Sequence, residues 1–210
     1  MRSWIDALPG RTEQEKERKV VLHTELSQLS EILGSTPGLD GNDYVFSHCD
    51  LLSGNVIVTD DSSKDMFVDF IDYEYAMPAP AAFDIANHFA EWGGFECDYT
   101  AIPNRPQRRE FLSEYLRSYR THSSSANAPS NHDKELAQLV NQVDLFRGIP
   151  GFYWGIWALI QAQISQIEFD YASYAEVRLG EYWAWKSERD GSRARDGKEA
   201  TVRERRWAEE

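Results

Sequence analysis

Cysteine is scarce: Cys49 and Cys97 are the whole complement in 210 residues. Two thiols cannot staple a small secreted fold, so a disulfide framework is excluded and a reducing, cytoplasmic setting is expected. Long apolar runs are lacking as well, none reaching the roughly 18 residues that a membrane span needs. The opening residues, Met1 to Asp6, hold no apolar signal-peptide core, so no secretory leader is expected. No G-x-x-x-x-G-K-[ST] phosphate loop occurs anywhere in the chain. Positive charge is short: 22 Lys and Arg stand against 35 Asp and Glu, a net charge of −13. That field repels polyanions, which excludes nucleic acid and anionic membrane as main partners and favours a small cation.

What the chain has in quantity is aromatic rings, with 7 Trp, 10 Tyr and 10 Phe. Rings of that size bury enough area for one sizeable core at this length. Leu22, Leu26, Leu29 and Leu33 form a single helical stripe, and Thr12 with Glu15 reads as a capping box, so a helix is expected over 12–33. Tyr44 to Phe46 reads as a short strand. Val56–Thr59 and Met66–Val68 flank a turn-rich link, which predicts a β-hairpin, and Phe70–Tyr75 continues its second arm. Helices are expected over Ala81–Glu91, Arg108–Tyr119, Asp133–Arg147, Phe152–Gln166 and Ala172–Lys186, with a surface loop over His122–His132. Residues 186–210 differ in character. Eight basic and seven acidic side chains nearly cancel there, and a frayed helix or disorder is expected.

The chemistry concentrates in His48-Cys49-Asp50-Leu51-Leu52-Ser53-Gly54-Asn55, of the form H-x-D-x(4)-N, which opens the first hairpin arm. Asp72 ends the other arm, so a formed hairpin puts Asn55 and Asp72 side by side with Asp50 just ahead of them. Mg²⁺ takes one or two carboxylates plus phosphate oxygens rather than a closed protein cage. Asn55 and Asp72 are therefore candidate metal ligands and Asp50 the candidate base for a hydroxyl acceptor, in the order protein kinases use. The plain alternative is that Asp50 and Asn55 bond their own turn. His48 is expected to brace the loop through hydrogen bonds. Cys49 is expected to be a small packed residue, because neighbours in an extended segment point to opposite faces and cannot form a Cys/His pair.

The run Phe46 to Ile57 resembles the catalytic motif of choline/ethanolamine kinases. Ile71-Asp72-Tyr73-Glu74-Tyr75, followed by Phe83 to Trp92, resembles their second signature, and Tyr153–Gln161 with Phe169–Ala175 is similar to their C-terminal region. Leu51–Gly54 and Ala82–Asn87 look closer to ethanolamine kinases than to choline kinases. The resemblance implies a mainly α, α+β protein-kinase-like C-terminal lobe over residues 1–185, with a small β-hairpin carrying the site and a charged tail over 186–210. It implies ATP-dependent phosphorylation of ethanolamine in phospholipid biosynthesis, with Asp50 as base and Asn55 and Asp72 on Mg²⁺. Glu91, Trp154, Trp157, Tyr174, Tyr75 and Phe169 would form the amino-alcohol pocket. An ammonium group suits aromatic faces and a carboxylate, although ordinary core packing is the commoner fate of such tryptophans.

One departure from the family pattern is large. No Gly-rich loop and no strand lysine for the nucleotide phosphates precede Asp50, so the N-terminal lobe is expected to be missing and the apolar surface facing it exposed. A truncated form is the expectation. The alternatives are a choline kinase, or a non-catalytic lobe that binds an amino alcohol or pairs with an intact kinase. ATP, a small amino alcohol and a further copy of the chain are the partners that stay open.

Overall fold

The computed structural model describes residues 1–39, 43–60, 66–123 and 131–210. The turn of the hairpin and most of the loop expected over His122–His132 lie outside the described residues. The chain divides into two compact units, Met1–Thr36 with Gly148–Lys198, and Pro37–Arg147 with Glu199–Glu210.

The first unit is helical: α1 (Arg2–Ala7), α2 (Glu13–Gly34), α6 (Ile149–Ile164), α7 (Tyr171–Arg189) and α8 (Ser192–Arg195). Thr12 and Glu15 form the expected capping box at the start of α2, satisfying two otherwise orphaned amides. Buried Leu22, Leu26 and Leu29 give α2 its inner stripe, while Leu33 lies half-buried at its end. Helices α6 and α7 approach closely because glycines line their contact. A Cβ on Gly151 would sit 2.5 Å from the Arg178 carbonyl oxygen, and one on Gly155 would sit 2.7 Å from Leu179 Cγ. A buried polar cluster ties α2 to α7: Glu25 accepts from the Tyr182 hydroxyl at 2.5 Å and from Lys186 Nζ at 2.5 and 2.6 Å.

The second unit holds all the described strands. β1 (Val45–Ser47) pairs with β4 (Met77–Ala79), and β2 (Val56–Asp60) pairs with β3 (Met66–Phe70), both antiparallel. The hairpin is therefore present, with Val56 opposite Phe70. It leaves Ile57, Val58, Phe67, Val68 and Phe70 largely exposed. Beyond Phe70 the chain leaves the hairpin, turns at Glu74–Tyr75 and returns as β4, so the second arm ends sooner than the apolar run over 70–75 implies. Helices α3 (Ala81–Glu91), α4 (Arg105–His122) and α5 (His132–Phe146) follow. Helix α3 matches its expected bounds and packs on α5.

The expectation of a frayed or disordered tail is corrected by the structure. Helix α7 runs on to Arg189, α8 follows, and the chain ends in α9 (Val202–Ala208), which belongs to the second unit. Its anchor is Trp207, 4% exposed. The Arg108 guanidinium lies 3.8 Å over that ring, and Trp207 Nε1 donates to Asp144 at 2.6 Å. Arg147 forks onto Glu204 at 2.7 and 3.1 Å, and Arg203 donates to the Arg147 carbonyl at 2.7 Å. Charges that cancel in composition are here paired at fixed places around a buried indole, which orders the segment.

Candidate functional site

The loop from His48 to Asn55 joins β1 to β2 and is held almost wholly by side chains reaching its backbone. The Asp84 carboxylate accepts from the amides of His48 at 3.0 Å and Cys49 at 2.8 Å. Asn87 Nδ2 donates to the Cys49 carbonyl at 2.9 Å, and His88 Nδ1 meets the Leu51 carbonyl at 2.8 Å. His48 braces the loop from within: Nε2 contacts the Ile71 carbonyl at 2.9 Å and Nδ1 accepts the Asp50 amide at 3.3 Å. These bonds fix Cys49 at φ 63°, a left-handed conformation that a non-glycine residue adopts only where surroundings impose it. Cys49 is fully buried, and burial followed by the nearby Asp84 charge pushes its thiol up to about 12. A thiol so far from ionising is a packing element, not a nucleophile.

Asp50 and Asn55 meet directly. Asn55 Nδ2 donates to the Asp50 carbonyl at 2.8 Å and to Asp50 Oδ2 at 3.3 Å. The Ile71 amide donates to the Asn55 carbonyl at 3.1 Å, carrying the hairpin pairing one step past Val56–Phe70, so Asp72 follows immediately beyond the residue facing Asn55. Asp72 also has φ 63°. Burial raises the Asp50 carboxyl to about 7, and the negative charges of Glu91, Asp72 and Glu74 add to the shift. A half-buried carboxylate among acids is a place where a cation would relieve repulsion. Asn55 spends its Nδ2 on Asp50 and keeps Oδ1, a hard oxygen acceptor. Among the described residues no group of three or more His, Cys, Asp and Glu side chains is arranged to hold a metal alone. Mg²⁺ on a nucleotide does not need one, because phosphate oxygens and water complete its shell. The donor set fits that ion.

The aromatic candidates Trp154, Trp157, Phe169 and Tyr174 belong to the first unit, and Asp50, Asn55, Asp72, Tyr75 and Glu91 to the second. Within the first unit the rings form a continuous series. Trp154 and Trp157 meet edge-to-face at 5.5 Å, Trp157 meets Tyr171 at 5.6 Å, and Phe169 meets Tyr171 at 4.8 Å and Tyr174 at 5.6 Å. Trp154 and Tyr174 are buried, Trp157 is half-buried, and Phe169 is exposed. Tyr171 was not among the expected site residues, yet it links Trp157 to Phe169. The loop-holding side chains Asp84, Asn87 and His88 were also not singled out, although their i, i+3, i+4 spacing puts three polar groups on one face of an otherwise apolar helix.

This is the layout of a kinase-like C-terminal lobe. The chain matches the choline/ethanolamine kinase family over residues 1–183 and belongs to it. It is 38% identical to mouse ethanolamine kinase 1 over 169 residues, which cover 80% of this chain and 44% of the mouse protein. Among solved structures it resembles the Plasmodium vivax ethanolamine kinase, with a TM-score of 0.62 and 29% identity, over 77% of this chain and 38% of that one. It shares its fold with choline kinase from Cryptosporidium parvum, with a TM-score of 0.64 and 24% identity, over 89% of this chain and 54% of that one. The chain thus spans less than half the length of the mouse relative it matches. Among the described residues, no helix is long and apolar enough to cross a membrane.

Proposed function

We propose that this chain carries the acceptor-side chemistry of an ATP-dependent ethanolamine kinase, forming phosphoethanolamine for phospholipid synthesis. The observation that supports it most is the Asp50–Asn55 contact at the mouth of the hairpin, with Asp72 next to it. In this reading Asn55 and Asp72 would hold the Mg²⁺ that accompanies the nucleotide. The ion, when bound, neutralises charge on the transferring phosphoryl group. Asp50 accepts the proton of the ethanolamine hydroxyl as that oxygen attacks, and a carboxyl poised at about 7 is well matched to taking a proton near neutrality. Asn55 Nδ2 keeps the Asp50 carboxylate turned toward the acceptor. By resemblance to the family, Glu91 and Tyr75 of the second unit are proposed contacts for the ammonium group, the carboxylate through charge and the ring through its negative face, and the rings of Trp154, Trp157, Phe169 and Tyr174 of the first unit are proposed contacts of the same chemistry. Two free cysteines, one of them buried, suit a reducing cytoplasm.

Phosphoryl transfer depends on positioning both substrates. No glycine-rich loop or strand lysine precedes Asp50 within residues 1–210, so these residues alone should turn over ATP negligibly. The test joins the chain to the part of the mouse relative that it does not cover and measures ADP release with ethanolamine and with choline. Ethanolamine-dependent release exceeding that with choline supports the reading. Preference for choline makes it a choline kinase, and no amino-alcohol dependence overturns it.

A further inference from the structure

His88 is the eighth residue of α3, and both of its ring nitrogens are committed. Nδ1 faces the Leu51 carbonyl at 2.8 Å, an oxygen that can only accept. Nε2 faces Trp92 Nε1 at 3.2 Å, an indole nitrogen that can only donate. One arrangement satisfies both: the proton on Nδ1, the lone pair on Nε2, and a neutral ring. We propose that His88 in this single tautomer is a positioning residue, which locks the Leu51 carbonyl and links the Asp50 loop to the Trp92 end of α3. The proposal rests on the kinase reading for its purpose, but its geometry stands apart from it.

The consequences follow from neighbouring bonds. Leu51 sits between Asp50 and the Leu52 amide, which itself donates to the Asp50 carbonyl at 3.0 Å, and the Asn55 amide donates to the Leu52 carbonyl at 3.0 Å. Releasing Leu51 therefore loosens the turn that presents Asp50 to Asn55. At the far end, Trp92 directly follows Glu91, the candidate ammonium contact, so one hydrogen-bonded chain runs from the residue after Glu91 to the base loop. Around the imidazole stand Phe89, Phe111 and Trp92, with rings at 6.1, 5.5 and 5.9 Å, and the charge facing it is Asp84, one turn earlier on α3. Burial holds the ring below its ordinary value despite the Leu51 carbonyl bond and the Asp84 charge. A charged ring would turn a second N–H toward the Trp92 donor and break the link.

The test uses the full chain with ¹⁵N-labelled histidine, His88 being assigned by its disappearance in His88→Asn. At neutral pH the ring should show a protonated Nδ1 and an unprotonated Nε2. An Nε2–H tautomer or a charged ring overturns the proposal. Asparagine can still donate to the Leu51 carbonyl, whereas leucine cannot. His88→Leu should thus speed amide exchange at Leu52 and Asn55 roughly tenfold against α4 amides, with His88→Asn restoring protection. Unchanged exchange in the leucine variant, or no rescue by asparagine, refutes it. If the leucine variant does not fold, the tautomer and the asparagine exchange still decide. Neither measurement uses turnover, so a failed kinase assay and a failed positioning role are told apart. In the joined enzyme, His88→Leu should lower kcat while leaving both KM values near those of the parent.

Discussion

The Asp50 loop and the α6–α7 pair are built by opposite means. The loop is short, irregular and polar, and its shape comes from Asp84, Asn87, His88 and His48 holding individual amides and carbonyls. The α6–α7 pair is regular, and its shape comes from glycines that let two backbones touch. Hydrogen bonds are directional, so they place a charged side chain without much packing area. Close packing is non-directional but unforgiving of volume, so it suits a stack of rings. Damage to the first should cost chemistry with the fold preserved; damage to the second should cost the fold.

The largest effect expected is on chemistry. Asp50→Ala in the joined enzyme should lower kcat by about 10²–10⁴-fold with the fold retained, because the group acting in proton transfer is removed. Retained turnover would remove Asp50 from the role of base. On the packing side, Gly151→Ala forces a methyl group toward the Arg178 carbonyl, which belongs to a helix backbone and cannot swing away. Destabilisation of about 1–3 kcal/mol is expected, read as a lower denaturation midpoint. An unchanged midpoint would mean that α6 and α7 are less tightly joined than their geometry shows.

These two regions were unequally legible in the sequence. The loop announces itself through His48, Asp50 and Asn55 at fixed spacing, and the hairpin through two apolar runs around a polar link. Bounds for α3 could be read because Pro80 precedes it and its apolar period is clean. The holders of the loop could not, because a hydrogen bond from the Cys49 amide to the Asp84 carboxylate spans 35 residues and leaves no local pattern. Helix α1, at six residues, is too short for periodicity to show. Strand β4 contains Pro78, which argues against a strand until its partner β1 is known. The ordered tail was hidden because near-zero net charge says nothing about which Arg meets which carboxylate.

A smaller effect tests selectivity. Glu91→Gln in the joined enzyme should raise KM for ethanolamine by roughly tenfold and KM for choline less, since a primary ammonium has N–H groups to place and a quaternary one does not. Equal effects on the two substrates would remove Glu91 as the selective contact.

The smallest effect expected is a pH dependence that belongs to the loop alone. Asp50 is raised from an ordinary 3.8 to about 7, first by burial and then by Glu91, Asp72 and Glu74. Between those two values the folded chain binds a proton there that the unfolded chain releases. Stability linked to Asp50 is therefore full below about 4 and is lost as pH rises through about 7, the reverse of a salt-bridged aspartate. As a base the same group works only when ionised, so turnover should climb over the range in which this contribution to stability declines. Mg²⁺ added without nucleotide would bring positive charge to the acidic neighbourhood and should move the Asp50 midpoint downward. Urea denaturation of the chain at several pH values, compared with Asp50→Asn, isolates the contribution. If the parent and the variant show the same pH slope, Asp50 titrates at its ordinary value, and the buried, acid-flanked base is disproved.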